Sequence, residues 1–170
     1  MKNYMNKILV AAFAVAIFAV GAAQANAQTA YVSWNKFTND CPTVMVANHD
    51  TQLGAGSPCW PTYITAQPGE TVNVRVYYHN TGNANAGNTI VQVSQPTGSR
   101  NTFTFTGFVS GGQAQASGQA TVVLPSAQTL TLSRVAVFPD QTTVPQFRSD
   151  GSSIFSGGLS IGQINSGLPA

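Results

Sequence analysis

The chain has 170 residues, of which only 7% are charged, and a formal net charge of +2. Two of its seven basic residues, Lys2 and Lys7, precede an apolar run, so the rest of the chain has five basic and five acidic side chains and no net charge. Because a basic surface is the main electrostatic attraction for phosphate backbones, we expect no nucleic-acid binding.

Residues 1–27 have the pattern of a secretory signal peptide. Lys2 and Lys7 are followed by the uncharged run Ile8–Val20. Ala25–Ala27 fits the small-x-small rule for cleavage, and Ala23–Ala25 fits it almost as well. The run is shorter than the roughly 20 residues that a membrane-spanning helix needs, and no cysteine follows it as a lipid anchor. We therefore expect export by the general secretory route to the cell surface or the medium, with membrane contact only before cleavage.

The only two cysteines are Cys41 and Cys59. In an exported chain an isolated pair is most simply a disulfide, which would stabilise the fold by roughly 3 kcal/mol in the chain-entropy model. A metal pair and a reactive thiol are the alternatives, and neither has a nearby histidine or a C-x-x-C spacing in its favour.

Short alternating runs replace helical periodicity after the signal peptide, and Gly, Pro, Asn and Asp clusters separate them. This pattern is typical of an antiparallel sandwich or barrel. The predicted strands are Tyr31–Trp34, Thr43–Ala47, Tyr63–Ala66, Thr71–Asn80, Thr89–Val93, Thr102–Phe108, Ala120–Leu124, Thr129–Phe138 and Val144–Phe147.

Period-two alternation predicts which side chains face the core. The inward positions are Val72, Val74, Val76, Tyr78, Val91, Val93, Phe103 and Phe105. Turns are expected at Pro68–Gly69, Asn80–Gly82, Pro125–Ser126 and Asp150–Gly151, and loops at Asn83–Gly87 and Gly111–Gly118. A change of phase between Leu132 and Val135 predicts a bulge near Ser133–Arg134.

Catalytic patterns are missing from the sequence. Gly107–Gly111 does not fit a nucleophile elbow, and Glu70 is the only glutamate, so no carboxylate pair for glycoside chemistry is indicated. His49 and His79, the second of which ends a predicted strand, are expected at the surface or in loops. We therefore predict no enzyme, no cofactor and no metal site. Calcium binding by loop oxygens is an alternative, with Asp50, Asp140 and Asp150 as its ligands, although the sequence has no EF-hand pattern.

Aromatic side chains raise the alternative of a carbohydrate-binding surface. The candidates are Tyr31, Trp34, Trp60, Tyr63, Tyr77 and Tyr78. Two of them have a simpler interpretation. Tyr78 shares the apolar face of its strand, and Trp60, next to Cys59, is expected to pack on the disulfide.

The segment Gln67–Ala84 has a Pro-Gly turn, an alternating strand and an Asn-x-Gly turn, and the strand Asn88–Val93 follows. With the late run Gly158–Gly167, this order resembles the DUF11 (conserved repeat) domain of bacterial and archaeal surface proteins, over about residues 62–167. The resemblance implies an immunoglobulin-like β-sandwich in residues 62–170. Residues 28–61, with their strands and the disulfide-closed loop, would pack with it as one domain.

Members of that family usually continue into a further strand after the late Gly turn. Here the expectation is a truncated gene, an unpaired edge, or an edge filled by Tyr31–Trp34. The preferred function is a non-enzymatic structural or adhesion-type surface module, with other envelope proteins or a second copy as partners. The alternatives are a fibre or layer subunit joined by β-strand addition and a carbohydrate-binding module.

Overall fold

The computed structural model of the protein describes residues 29–49, 59–138 and 145–167. The predicted signal peptide, Asp50, Asp140 and Val144 lie outside the described residues. Within the described ranges the chain forms nine β-strands and one short 3-10 helix, which confirms the all-β class. None of the helical structure in these ranges is long and apolar enough to cross a bilayer.

The strands form three sheets. The large one has five strands in the order β2-β6-β5-β4-β9, and the pairs β1-β3 and β7-β8 form two small ones. All partners are antiparallel except β2 and β6. The bounds are β1 Val44–Asn48, β2 Tyr63–Thr65, β3 Val72–Val76, β4 Ala86–Ser94, β5 Arg100–Gly111, β6 Ala114–Gln128, β7 Ala136–Val137, β8 Gln146–Phe147, the 3-10 helix Gly151–Phe155 and β9 Leu159–Ile164.

One core lies between the five-stranded sheet and the β1-β3 pair. Side chains of β1 and β2 meet those of β4, β5 and β6, and the valines of β3 pack against them. The predicted alternation is confirmed for Val91, Val93, Phe103 and Phe105, all of which are buried. Because the pleat sends every second side chain to the same face, these strands need no further signal to orient them.

Two glycines allow β1 to lie close to the large sheet. Gly107 of β5 is directly opposite Gly118 of β6. A Cβ on Gly107 would come within 2.5 Å of Val44 Cγ2, and one on Gly118 within 3.1 Å of the Val44 nitrogen. The predicted loop over Gly111–Gly118 is wrong. The turn is confined to Gly112 and Gln113, both of which have positive φ, and β6 begins at Ala114.

The second half of β6 also differs from expectation. The strand continues through Pro125 and Ser126, where a turn was predicted, and its register with β5 shifts there, from Thr102↔Val123 to Arg100↔Gln128. The next predicted strand, Thr129–Phe138, shrinks to β7, which has only the two-residue β8 as its partner. The bulge at Ser133–Arg134 is wrong because these residues lie outside any strand.

The strand from Thr71 ends earlier than predicted. Val72, Val74 and Val76 pack on the core as expected, but β3 stops at Val76, and the next four residues are all buried. The predicted strand Tyr31–Trp34 is reduced to a single bridge between Trp34 and Asn80. The late run Gly158–Gly167 contains β9, which pairs with β4.

Candidate functional site

Residues 29–35, here called the N-terminal arm, lie along the segment that follows β3. The amide of Thr81 donates to the Ser33 carbonyl at 2.8 Å, and the amides of Asn83 and Ala84 donate to the Tyr31 carbonyl at 3.0 Å. The approach is so close that a Cβ on Gly82 would collide with the carbonyl oxygen of Tyr31. The glycine in the predicted Asn-x-Gly turn is therefore required by contact with the arm rather than by a positive φ.

Trp34 anchors the arm in the fold. Its side chain is 2% exposed and packs in a cluster with Tyr78, Ala86, Val91 and Val109. The indole N–H donates to the Ala114 carbonyl at 3.2 Å, so the polar atom of this large side chain is also satisfied. This tryptophan joins the arm to β4, β5 and β6.

Next to the arm lies a buried polar group that we call the clasp, formed by Asn35, Asp40, Tyr77 and His79. His79 Nδ1 is 2.6 Å from Asp40 Oδ1, and both side chains are 6% exposed. The Tyr77 hydroxyl donates to the same oxygen at 3.0 Å, and the Phe37 amide donates to Asp40 Oδ2 at 2.7 Å. A buried charge with this many partners is compensated rather than isolated.

The electrostatics of the clasp follow from these contacts. Burial raises the pKa of Asp40, but the hydrogen bonds from His79, Phe37 and Tyr77 outweigh it and hold that pKa below its ordinary value. Burial and the Asp40 carboxylate together raise the pKa of Tyr77 to about 12. Both shifts favour the same arrangement, a carboxylate that accepts hydrogen bonds from a protonated phenol and an imidazole.

Asn35 connects the arm to the clasp. Its side-chain oxygen accepts from the His79 amide at 2.7 Å, and its side-chain nitrogen donates to Thr43 Oγ1 and the Tyr77 carbonyl. The residue has a φ of 52°, a left-handed conformation that asparagine tolerates better than most side chains. Asn35 therefore turns the chain and links the arm to Thr43 and to the segment Tyr77–His79.

His79 Nε2 is the one buried side-chain polar atom without a hydrogen-bond partner in the described part of the chain. The ring of Phe37 lies edge-on to the imidazole, with the centroids 5.0 Å apart. His79 lies in the loop that follows β3, but it is not at the surface, because this residue is only 5% exposed. His49 is exposed, as predicted, and lies beside Asn73.

The predicted disulfide between Cys41 and Cys59 is confirmed, with the two Cα atoms 5.3 Å apart. Cys41 is buried in a cluster with Met45 and Tyr77, so the clasp residue Tyr77 also packs against the disulfide. Trp60 packs on this cluster as predicted, and its amide donates to Met45 Sδ at 3.2 Å. The Arg75 guanidinium lies 5.5 Å from its ring centroid.

The six aromatic candidates do not form one surface. Trp34, Tyr77 and Tyr78 are buried, and the Tyr78 hydroxyl donates to the Phe138 carbonyl. Tyr31 and Tyr63 are 49% and 57% exposed, but one lies on the arm and the other in β2. A buried ring has no free face on which a sugar can stack, so half of the predicted platform is excluded.

Among the candidate calcium ligands, the structure describes Asp150 alone. Its carboxylate forms two hydrogen bonds with Arg148, at 2.9 and 2.8 Å. Over the described ranges, no group of three His, Cys, Asp or Glu side chains gathers to hold a metal ion. The carboxylate of Asp150 is thus already paired with a cation.

No protein-family model, curated protein or solved structure matches this chain. The clasp was not found from the sequence, because Asp40 and His79 are 39 residues apart and no local pattern brings them together. The available signal was the position of Asp40 beside Cys41, since a disulfide fixes its neighbours close to a second chain segment.

Proposed function

We propose that this chain is an exported, non-enzymatic structural or adhesion-type module with an immunoglobulin-like sandwich of the DUF11 kind. It works at the cell surface or in the medium, with envelope proteins or a second copy as its partners. The observation that carries the proposal is the Cys41–Cys59 disulfide. Disulfides persist in oxidising compartments and are rare in the cytosol.

The use of the polar side chains supports a structural role. The Asp40 carboxylate and the imidazole of His79 bind each other, while Asp150 binds Arg148. A nucleophilic mechanism needs a nucleophile within hydrogen-bond reach of a base. In the clasp, the Asp40 carboxylate and the Tyr77 hydroxyl are buried and hydrogen-bonded to each other rather than open to a substrate.

The position of the arm fits the predicted cleavage site. The Thr29 carbonyl, which accepts a hydrogen bond from Asn83, lies two residues after Ala27. Cleavage after Ala27 would leave the mature chain with almost no tail ahead of the docked arm. The arm would then be the first segment of the mature chain, and it would be docked on the fold almost from the first residue.

A localisation experiment on the source cells tests the proposal. Intact cells and culture medium are probed with an antibody to residues 29–167, before and after treatment of the cells with an external protease. We expect the protein in the medium or in the protease-sensitive surface fraction, with the two cysteines resistant to alkylation. A protease-protected protein with two alkylatable thiols in the cytosolic fraction would contradict the proposal.

A subunit that pairs with its own copies is a second candidate function. One observation favours it: part of an edge of the five-stranded sheet has neither a pairing strand nor a charged side chain in the described part of the chain.

A further inference from the structure

The two edges of the five-stranded sheet differ in how they are protected. At the β9 edge the register with β4 shifts twice, and Gly162 has a φ of 84°. The Arg148 guanidinium, held by Asp150, lies 3.4 Å from the carbonyl of Ser160 in the same strand. Irregular pairing and a charge at the edge are devices that prevent a strand from adding there.

The opposite edge is only partly covered. The short β2 pairs with β6 from Tyr63↔Thr121 to Thr65↔Val123. Flanking hydrogen bonds at Thr62 and Ala66 extend this contact by one residue at each end. The first six residues of β6, Ala114–Gln119, have no strand beside them on that side among the described residues, and we call them the open edge.

The open edge has none of the usual protective features. It contains no charged residue and no proline. Its pairing with β5 is regular from Gly111↔Ala114 to Thr106↔Gln119. The side chains of Gln115, Ser117 and Gln119 are exposed and alternate with the half-buried small residues Ala114, Ala116 and Gly118. A straight, uncharged strand with free backbone groups on one side is a template for another strand.

We propose that two copies of this chain pair in antiparallel fashion through their open edges, about a two-fold axis at Ser117. In this register Gln115 lies opposite Gln119 and Ala116 opposite Gly118, so the edge is complementary to itself, as a two-fold interface requires. The glutamine amides can hydrogen-bond across the pair, and no like charges face each other. The near-zero net charge of residues 28–170 leaves little repulsion between copies.

The protected β9 edge limits the assembly. Pairing through the open edge uses that edge on both copies, and the outer strand of the joined sheet is then β9 at both ends. Because Arg148 and the irregular register discourage addition there, assembly stops at the dimer. The inference rests on the second candidate function, whose pairing site and assembly size it specifies, and it does not depend on the route of export.

The test uses the mature chain, residues 28–170, with its disulfide formed. Sedimentation equilibrium is measured from about 1 µM to 1 mM, a span that brackets weak and moderate dimers. We expect a monomer–dimer equilibrium without larger species. A chain that stays monomeric over the whole range, or that grows into filaments, would overturn the proposal.

Ser117→Lys locates the interface. It brings two ammonium groups face to face at the axis while pointing outward in the monomer, and it should raise the dimer dissociation constant on the order of tenfold or more. Gln163→Lys, an exposed position on β9, is the matched control and should leave that constant unchanged. An equal effect of both substitutions, or none from Ser117→Lys, would refute the open edge as the interface.

Amide hydrogen exchange supplies a readout independent of the substitutions. Dimerisation should slow exchange in residues 114–119 as the protein concentration rises, whereas β9 should not change. Concentration-dependent protection of β9 alone would contradict the proposal.

Discussion

The clasp predicts a large loss of stability when Asp40 is replaced by alanine. The substitution removes the acceptor of three hydrogen bonds and leaves His79 Nδ1, the Tyr77 hydroxyl and the Phe37 amide without their partner. Leaving a buried hydrogen-bond donor without an acceptor costs about 1–3 kcal/mol, so losing the acceptor shared by His79 and Tyr77 should cost about 3–5 kcal/mol. For a domain of this size each kcal/mol lowers Tm by roughly 3–4 °C, so we expect Tm to fall by about 10–20 °C.

The assay is thermal unfolding at pH 7, followed by circular dichroism, with the disulfide intact in both proteins. Asp150→Ala is the matched control, because it removes a carboxylate from an exposed pair with Arg148. Exposed ion pairs contribute little, so its Tm should stay close to that of the unmodified chain. A Tm for Asp40→Ala that is equally unchanged would refute our account of the clasp.

The same carboxylate gives the stability a defined pH dependence. Its pKa is lowered in the folded state, so the unfolded chain binds its proton at a higher pH than the folded chain does. The stabilisation is therefore complete above the ordinary value of 3.8 and is lost as the pH falls through the lower, folded-state value. Urea unfolding at several pH values should show this acid-side decline in the unmodified chain and a shallower one in Asp40→Asn.

Three further variants, one of them with a control, test the arm and the disulfide. Cys41→Ser with Cys59→Ser should lower the free energy of unfolding by roughly 3 kcal/mol without changing the circular dichroism spectrum, and an unchanged Tm in oxidising buffer would contradict the disulfide's role. Trp34→Ala should cost about 3–5 kcal/mol in chemical unfolding and open the arm to proteolysis, whereas continued resistance would show that the arm is held without its anchor. Gly82→Ala should cost about 1–3 kcal/mol because its methyl group meets the Tyr31 carbonyl, and Gly87→Ala, with open space around it, should cost much less.

Local sequence patterns were sufficient for the central strands. In β4 and β5 the buried valines and phenylalanines alternate with more exposed residues, most of them polar, and such a pattern has one orientation in a half-buried sheet. The disulfide was predictable because the chain has only two cysteines. The orientation of a strand can be read from a few neighbouring residues, and two cysteines allow only one intramolecular pairing.

The errors have a common physical cause. Gly118 and Pro125 belong to residue types that usually mark loops, yet here the glycine makes room for β1 and the proline accompanies a shift of register inside β6. The clasp likewise depends on which distant residues meet, since Asp40, Tyr77 and His79 come together only when the fold closes. Contacts of this kind leave no periodic trace in the sequence.

The most direct test of an exported, disulfide-closed module is mass spectrometry of the protein from a bacterial host that expresses the full chain from Met1. We predict that the exported form begins at Gln28 and has the mass of a chain that has lost two hydrogen atoms to the Cys41–Cys59 bond. An uncleaved chain that stays in the cytoplasm with both thiols reduced would contradict the account.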